Sequence, residues 1–130
     1  MNPNDYKYTN DHEWIHVEED GTGKVGLADY AQSHLGDLVY LDLPKPNTQI
    51  EQGKKMGEIE SVKAVSDFFS PVTGKVLKVN QACVEDPTIL NKDCYGEGWL
   101  LGVEIADPAG LDNLMDVDAY EKLLAELTEE

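Results

Sequence analysis

Residues Met56–Val79 read MGEIESVKAVSDFFSPVTGKVLKV, and they contain several short extended segments in succession. The stretch contains short runs of β-branched, aromatic and other apolar residues, divided by turn-forming residues at Ser70–Gly74. Such runs are typical of β-strands, and short turns between them favour antiparallel neighbours. We expect extended segments over Met56–Glu60, Ser66–Phe69 and 75–79, with residues 61–65 as the connection between the first two.

The segments before this stretch continue the β pattern. Tyr8–Val17 contains tryptophan and β-branched residues and is predicted to be a strand, and Lys24–Leu27 resumes the extended pattern after a glycine-containing turn. Leu38–Leu43 is an apolar, partly β-branched run. The prolines at 44 and 46 end it, because proline cannot donate to a sheet ladder.

Helical spacing occurs in three places. Tyrosine, alanine and histidine recur with helical spacing in Asp29–Leu35, and Gly36 follows where a helix C-cap favours glycine. Thr88–Asn91 is a second short helical segment, with Pro87 at its first turn. After a last predicted strand at Trp99–Ile105, apolar residues take an amphipathic helical spacing over residues 108–128.

The order of these segments indicates a mainly β protein. We expect a small sandwich or flattened barrel of two sheets, with two short helical inserts and a C-terminal helix. The length favours a single domain over residues 1–130, with a helical tail at about 108–128. Asp116 or Asp118 could cap the tail helix.

Composition excludes several classes of partner. The chain has 130 residues, a formal net charge of −16, ten lysines and no arginine, so nucleic-acid phosphates would be repelled. An acidic surface can steer encounters with basic patches on partner proteins, although solubility alone would also explain it. No apolar run is long enough to span a membrane. Residues 1–5 resemble no targeting peptide, which favours the bacterial cytoplasm, with a processed chain of the mitochondrial matrix as the alternative.

Catalytic and metal-binding sets are not evident in the sequence. His12 and His16 lie four apart in a predicted extended segment, and no nearby cysteine completes a zinc set, so we expect no metal. Cys83 and Cys94 belong to no CxxC pair and are interpreted as structural thiols. No nucleophile, base and orienting acid can be assembled, so an enzyme is the least favoured interpretation.

Lys63 differs from the other lysines in its context. Small or medium apolar residues flank it, and the predicted strands on either side place it at a hairpin turn. A lysine in that position has no neighbouring carboxylate in the sequence and is accessible to a modifying enzyme. The alternative is an ordinary exposed lysine.

Four sequence blocks, in order, resemble the glycine cleavage H proteins. The segment Gly57–Asp67 (GEIESVKAVSD) is similar to the lipoyl-attachment signature of that family. The other blocks are YTNDHEW at Tyr8–Trp14, VGLADYAQ at Val25–Gln32 continuing to LGD at 35–37, and LNKDCYGEGWL at 90–100. Biotin carriers share the fold but usually have methionines beside the modified lysine, so valine and alanine there favour lipoate.

The resemblance implies a lipoyl-domain-like fold and lipoate attached to Lys63 by an amide bond. It implies three partner enzymes: a pyridoxal-phosphate glycine decarboxylase (P protein), a tetrahydrofolate-dependent aminomethyltransferase (T protein) and a dihydrolipoyl dehydrogenase (L protein). A lipoate ligase or octanoyltransferase would attach the cofactor. The chain would carry the aminomethyl group of glycine without catalysing a reaction itself.

The resemblance also implies a cleft that protects the loaded arm from water. Glu13 and Asp67 match the family's positions near the loaded arm, with His34 close by, and Asp11 is a further carboxylate beside Glu13. Two alternatives stay open at this stage. One is an H-like lipoyl relay protein in lipoate transfer or redox metabolism, and the other is a small acidic binding module without a cofactor.

Overall fold

Two antiparallel sheets form the framework. The computed structural model describes residue 3 and residues 5–128. Within them, the larger sheet has six strands in the order β1-β2-β3-β9-β8-β5, and the smaller has three in the order β4-β6-β7. The strands are β1 Lys7–Tyr8, β2 Glu13–Val17, β3 Gly23–Leu27, β4 Leu38–Asp42, β5 Gln49–Ile50, β6 Lys55–Ser61, β7 Val65–Phe69, β8 Gly74–Val79 and β9 Leu101–Ile105. The predicted mainly β architecture is confirmed.

Apolar residues from both sheets form the main core. Ile15 and Val25 from the larger sheet share one buried cluster with Leu41, Ile59 and Phe68 from the smaller sheet. Alternate residues of a strand point to opposite faces, so one face of each sheet packs inward and the other is exposed. This arrangement leaves the outer face of β4-β6-β7 open to solvent.

Five helical segments connect or follow the strands. They are α1 Asp29–Leu35, α2 Gln81–Glu85, α3 Thr88–Lys92, a 3₁₀ helix at Pro108–Asn113, and α4 Val117–Thr128. The predictions of α1, α3 and a C-terminal helix are confirmed, and Asp116 caps α4 by accepting the Ala119 N–H at 2.9 Å. The sequence did not predict α2 or β5, because a two-residue strand and a five-residue helix are too short for a hydrophobic period.

Two predicted strands have different bounds in the structure. Tyr8–Val17 is not one strand: a turn separates β1 from β2, and His12 within it has a φ of 67°. His12 is therefore not in an extended segment. Trp99 precedes β9, because its N–H bonds to Gly96 O within a turn and not to a neighbouring strand. None of the helices in the described part of the chain is long and apolar enough to cross a membrane.

The C-terminal helix packs over a second, aromatic cluster. Tyr8 and Tyr120 are completely buried, and their rings stack at a centroid distance of 4.4 Å. His12 Nδ1 forms a hydrogen bond of 2.8 Å with the Tyr120 hydroxyl. These contacts hold α4 against β1 and the β1–β2 turn.

Candidate functional site

Lys63 lies in the tight turn that joins β6 to β7. The Ser61 N–H donates to Ala64 O at 2.8 Å and closes the turn. The Ser61 hydroxyl oxygen accepts the N–H groups of Lys63 and Ala64 at 3.3 and 3.1 Å. A serine that bonds to the backbone two and three residues later stabilises such a turn locally. The hairpin position predicted for Lys63 is therefore what the structure shows.

The side chain of Lys63 is exposed and lies beside the end of α1. A Cβ added at Gly36 would lie 3.6 Å from Lys63 Cε, an ordinary contact distance, so Gly36 is a direct neighbour of the lysine side chain. The Val62 N–H donates to Asp37 O at 3.0 Å, which ties the turn to the segment after α1. Across residues 5–128, no carboxylate oxygen lies within 4.0 Å of the Lys63 amine.

Asn91 of α3 supports the segment on which the turn rests. Its Nδ2 donates to Gly36 O at 2.9 Å, and its Oδ1 accepts the Leu38 N–H at 3.0 Å. These two hydrogen bonds fix the backbone beside the lysine side chain. The sequence contained no signal for this role, since Asn91 is more than fifty residues away.

Glu13 is a buried carboxyl group at the start of β2. Its side chain is 1% exposed, and it accepts the Thr9 hydroxyl at 2.6 Å and the Phe69 N–H at 3.1 Å. Burial raises its pKa to about 7, while the hydrogen bonds from Thr9 and Phe69 act in the opposite direction. The bond to Phe69 connects β2 to β7, the strand that begins beside Lys63.

A cavity of about 190 Å³ opens beside Glu13. Thr9, Asp11 and Phe69 are among the residues that line it, together with Gln52 from the segment before β6. Gln52 donates from Nε2 to Gly110 O at 2.8 Å and accepts from Asn113 Nδ2 at 3.0 Å, so the 3₁₀ helix closes one side of the cavity. Asp11 and Glu13 are the two carboxyl-bearing residues among those that line it.

Asp67 and His34 lie outside the lining of that cavity. Asp67 is on β7, where Lys55 Nζ approaches it at 3.2 Å. His34 is exposed on α1, stacks on Tyr30 with a centroid distance of 4.0 Å, and shares a 2.9 Å hydrogen bond between its Nδ1 and Tyr30 O. The sequence-predicted residues therefore do not form one cluster around the cavity.

The other candidate groups take structural positions. Cys83 and Cys94 are buried free thiols, and burial raises their pKa values to about 11 and about 12, which keeps both protonated at neutral pH. His16 contacts Asp5 and Glu18 at 3.0 and 2.9 Å. The described residues contain no group of three or more His, Cys, Asp or Glu side chains placed to hold a metal ion.

The family model for the glycine cleavage H-protein matches residues 6–127, which is almost the whole chain. The chain belongs to the glycine cleavage H-protein family. As a member of that family, it is the lipoyl aminomethyl carrier of the glycine cleavage system and a non-catalytic component of that system. Its partners are the other proteins of the system, and members of the family carry lipoate.

Individual relatives support the same assignment. The chain is 47% identical over 124 residues to a glycine cleavage system H protein of Carboxydothermus hydrogenoformans, and 45% identical over 123 residues to that of Marinobacter nauticus. Each alignment covers 95% of both chains. A crystal structure of a glycine cleavage system H protein from Mycobacterium marinum superposes with a TM-score of 0.85 at 36% identity, and covers 95% of this chain and 99% of the other.

Several parts of the site were not predicted from the sequence. Thr9 donates to Glu13 only because the β1–β2 turn returns the chain on itself, and the Phe69 N–H and Gln52 reach the cavity from distant segments. The spacing of Thr9 and Glu13 would have suggested a local hydrogen bond if the turn had been recognised. No sequence signal identified Gln52.

Proposed function

We propose that lipoate is joined to this chain by an amide bond between its carboxyl group and Lys63 Nζ. The observation that carries this proposal is the lysine's exposed position in a hydrogen-bonded turn, with no ion pair within residues 5–128. Acylation removes the positive charge of the amine, and here it would break no salt bridge. When bound, the cofactor supplies a disulfide that can accept the aminomethyl group and be reduced.

The surroundings of Lys63 support a mobile arm that is anchored at a rigid base. The Ser61 hydrogen bonds hold the backbone of the turn, while the Lys63 side chain is exposed to solvent. A fixed attachment point limits the volume that the far end of the arm explores and so raises its effective concentration at nearby surfaces.

We propose that the loaded arm lies along β7 and ends in the Glu13 cavity. His34 would flank the base of the arm, since it lies two residues before Gly36. Asp67 lies partway along β7, about 7 Å from Phe69 along the strand. Glu13 and Asp11 would then receive the protonated amine, because a cation stabilises the carboxylate of a buried acid. Water would be excluded from the carried group there.

We also propose the individual partners and location. The chain would exchange its cargo with the glycine decarboxylase and the aminomethyltransferase, be reoxidised by dihydrolipoyl dehydrogenase, and receive its cofactor from a lipoate ligase or octanoyltransferase. The bacterial source of the relatives supports action in the bacterial cytoplasm. Residues 1–130 would act as a single domain, because α4 packs on the aromatic cluster of β1.

Substitution of the lysine tests the attachment. Lys63→Arg keeps the charge but offers a guanidinium that is not acylated, so glycine–bicarbonate exchange with the decarboxylase should fall to background. Lys45→Arg, at another exposed lysine, is the matched control and should retain full exchange. Exchange by Lys63→Arg at the rate of the control would overturn the attachment site.

The proposed role of the cavity is tested by measuring how long the aminomethyl group stays on the lipoyl arm. Glu13→Ala should leave lipoylation intact and shorten the half-life of the aminomethylated protein in buffer, measured by intact mass against time. Glu19→Ala, in the exposed turn after β2, should release the group at the wild-type rate. An unchanged half-life in Glu13→Ala would contradict the cavity as the resting place of the carried amine.

A further inference from the structure

An exposed apolar patch surrounds the lysine turn. Among the described residues, the four large apolar side chains with the greatest exposure are Val62 (69%), Val65 (59%), Tyr40 (56%) and Val39 (48%). We call these four residues the hairpin patch. Single exposed apolar residues are ordinary, whereas neighbouring ones on one surface indicate a contact with another molecule.

A β-bulge causes part of this exposure. The pairing of β4 with β6 shifts between Leu38 and Tyr40, which inserts Val39 as an extra residue. Val39 and Tyr40 are therefore both exposed, while Leu38 and Leu41 on either side are buried. The bulge presents two consecutive apolar side chains where a regular strand would present one.

Strand register places the other members of the patch beside these two. Tyr40 pairs with Glu60, and Glu60 pairs with Val65, so the three residues form a row across the outer face of the smaller sheet. Val62 follows β6 and is hydrogen-bonded through its N–H to Asp37 O. The row therefore lies directly next to the turn that carries Lys63.

The next row on the same face is acidic. Asp42 pairs with Glu58, and Glu58 pairs with Asp67. Lys55 approaches Glu58 at 2.8 Å and Asp67 at 3.2 Å, so one cation is shared between two carboxylates of this row. Glu60 and Asp37 add exposed carboxylates within and beside the patch. A complementary partner surface would place apolar side chains opposite the hairpin patch and lysine or arginine side chains opposite the acidic row.

We propose that the hairpin patch is the docking surface of the enzyme that acylates Lys63. This inference rests on the proposed attachment of lipoate at that residue. An enzyme that acts on the far end of the lipoyl-lysine arm can bind that end without contacting the turn that carries Lys63. The acylating enzyme must bring its active site to Lys63 Nζ itself, and so must contact the residues next to it. Its surface there would be apolar, with cations facing the acidic row.

The test compares acylation of matched variants. Unmodified wild-type protein, Tyr40→Ser, Tyr40→Phe and Leu77→Ser are incubated with lipoate ligase, lipoate and ATP, and initial rates are followed by intact mass. Leu77 is the control, since it is 41% exposed on β8 of the other sheet. Tyr40→Ser should raise KM about tenfold, as expected for truncation of an interface aromatic, with kcat within about twofold. Tyr40→Phe and Leu77→Ser should stay within about twofold of wild type in both constants.

Three other results would overturn the docking surface. An unchanged KM in Tyr40→Ser, or an equal rise in Leu77→Ser, would overturn the docking surface. Fully lipoylated and reduced Tyr40→Ser should be reoxidised by dihydrolipoyl dehydrogenase at the wild-type rate. An equally large loss in that reoxidation would instead assign the patch to the enzymes that act on the far end of the lipoyl arm. If wild type itself accepts no lipoate at Lys63, the proposed function fails together with this inference.

Discussion

At the scale of single residues, Glu13 experiences opposing influences on its charge. Burial favours the protonated acid, whereas the hydrogen bonds from the Thr9 hydroxyl and the Phe69 N–H favour the carboxylate. The resulting pKa of about 7 leaves the group divided between the two forms near neutral pH. A cation that entered the cavity would favour the charged form, so binding of the carried amine and ionisation of Glu13 are coupled.

The same pKa has a measurable effect on stability. A rise from 4.5 to about 7 on folding means that the contribution of Glu13 is fully present below pH 4.5 and is lost as the pH rises through 7. Relative to Glu13→Gln, wild type should therefore lose about 3 kcal/mol of unfolding free energy between pH 4.5 and pH 8. Urea unfolding at several pH values measures this difference. A constant difference across that range would contradict the raised pKa.

At the scale of elements, the sequence predicted those helices and strands whose formation depends mainly on residues close to one another in the chain. The helix α1 was recognised because its spacing and the glycine at 36, which has a φ of 81°, are both readable in sequence. The β1–β2 turn was missed although local bonds close it, with the Thr9 N–H donating to Glu13 O at 2.9 Å and the His12 N–H donating to Thr9 O at 3.1 Å. Distant residues also hold this turn. Ala28 N–H donates to His12 O at 2.8 Å, and Tyr120 bonds to the imidazole from α4. Short apolar runs cannot reveal such contacts.

The pairing of β4 with β6 depends on a close backbone approach at Gly57. A Cβ added there would clash with Asp42 O, and backbone cannot move aside as a flexible side chain can. Gly57→Ala should therefore lower the unfolding free energy by about 3 kcal/mol. Gly110→Ala is the control, because a Cβ at Gly110 would meet only the Gln52 side chain, at an ordinary 3.5 Å, and Gly110 does not have a left-handed φ. Chemical denaturation measures both, and equal stabilities would contradict this packing.

At the scale of the whole molecule, the hairpin position of Lys63 was predictable and the cavity was not. Lys63 belongs to a hairpin whose strands and turn occupy the fifteen consecutive residues Lys55–Phe69. The cavity joins β2, β7, the segment at Gln52 and the 3₁₀ helix, and its hydrogen bonds span 56 residues from Phe69 to Glu13 and 61 from Asn113 to Gln52. Only the resemblance to a family pointed to Glu13, and it did not identify Thr9 or Gln52.

The net charge of −16 also acts on the whole molecule. Like charges repel in the compact state, and the repulsion reaches about 30 Å at 0.01 M salt but only about 8 Å at 0.15 M. Addition of NaCl over that range should therefore raise the Tm by about 5 °C. Differential scanning calorimetry measures the change. A Tm that falls with added salt would indicate that attractive ion pairs outweigh the repulsion.

The most direct test of the account is a mass map of the chain after acylation. Unmodified protein is incubated with lipoate ligase, lipoate and ATP, and then digested and analysed by tandem mass spectrometry. We expect one lipoyl group per chain, on the peptide that contains Lys63, and none on Lys63→Arg. A lipoyl group on any other lysine, or an unmodified Lys63 after complete reaction of a control carrier, would contradict it.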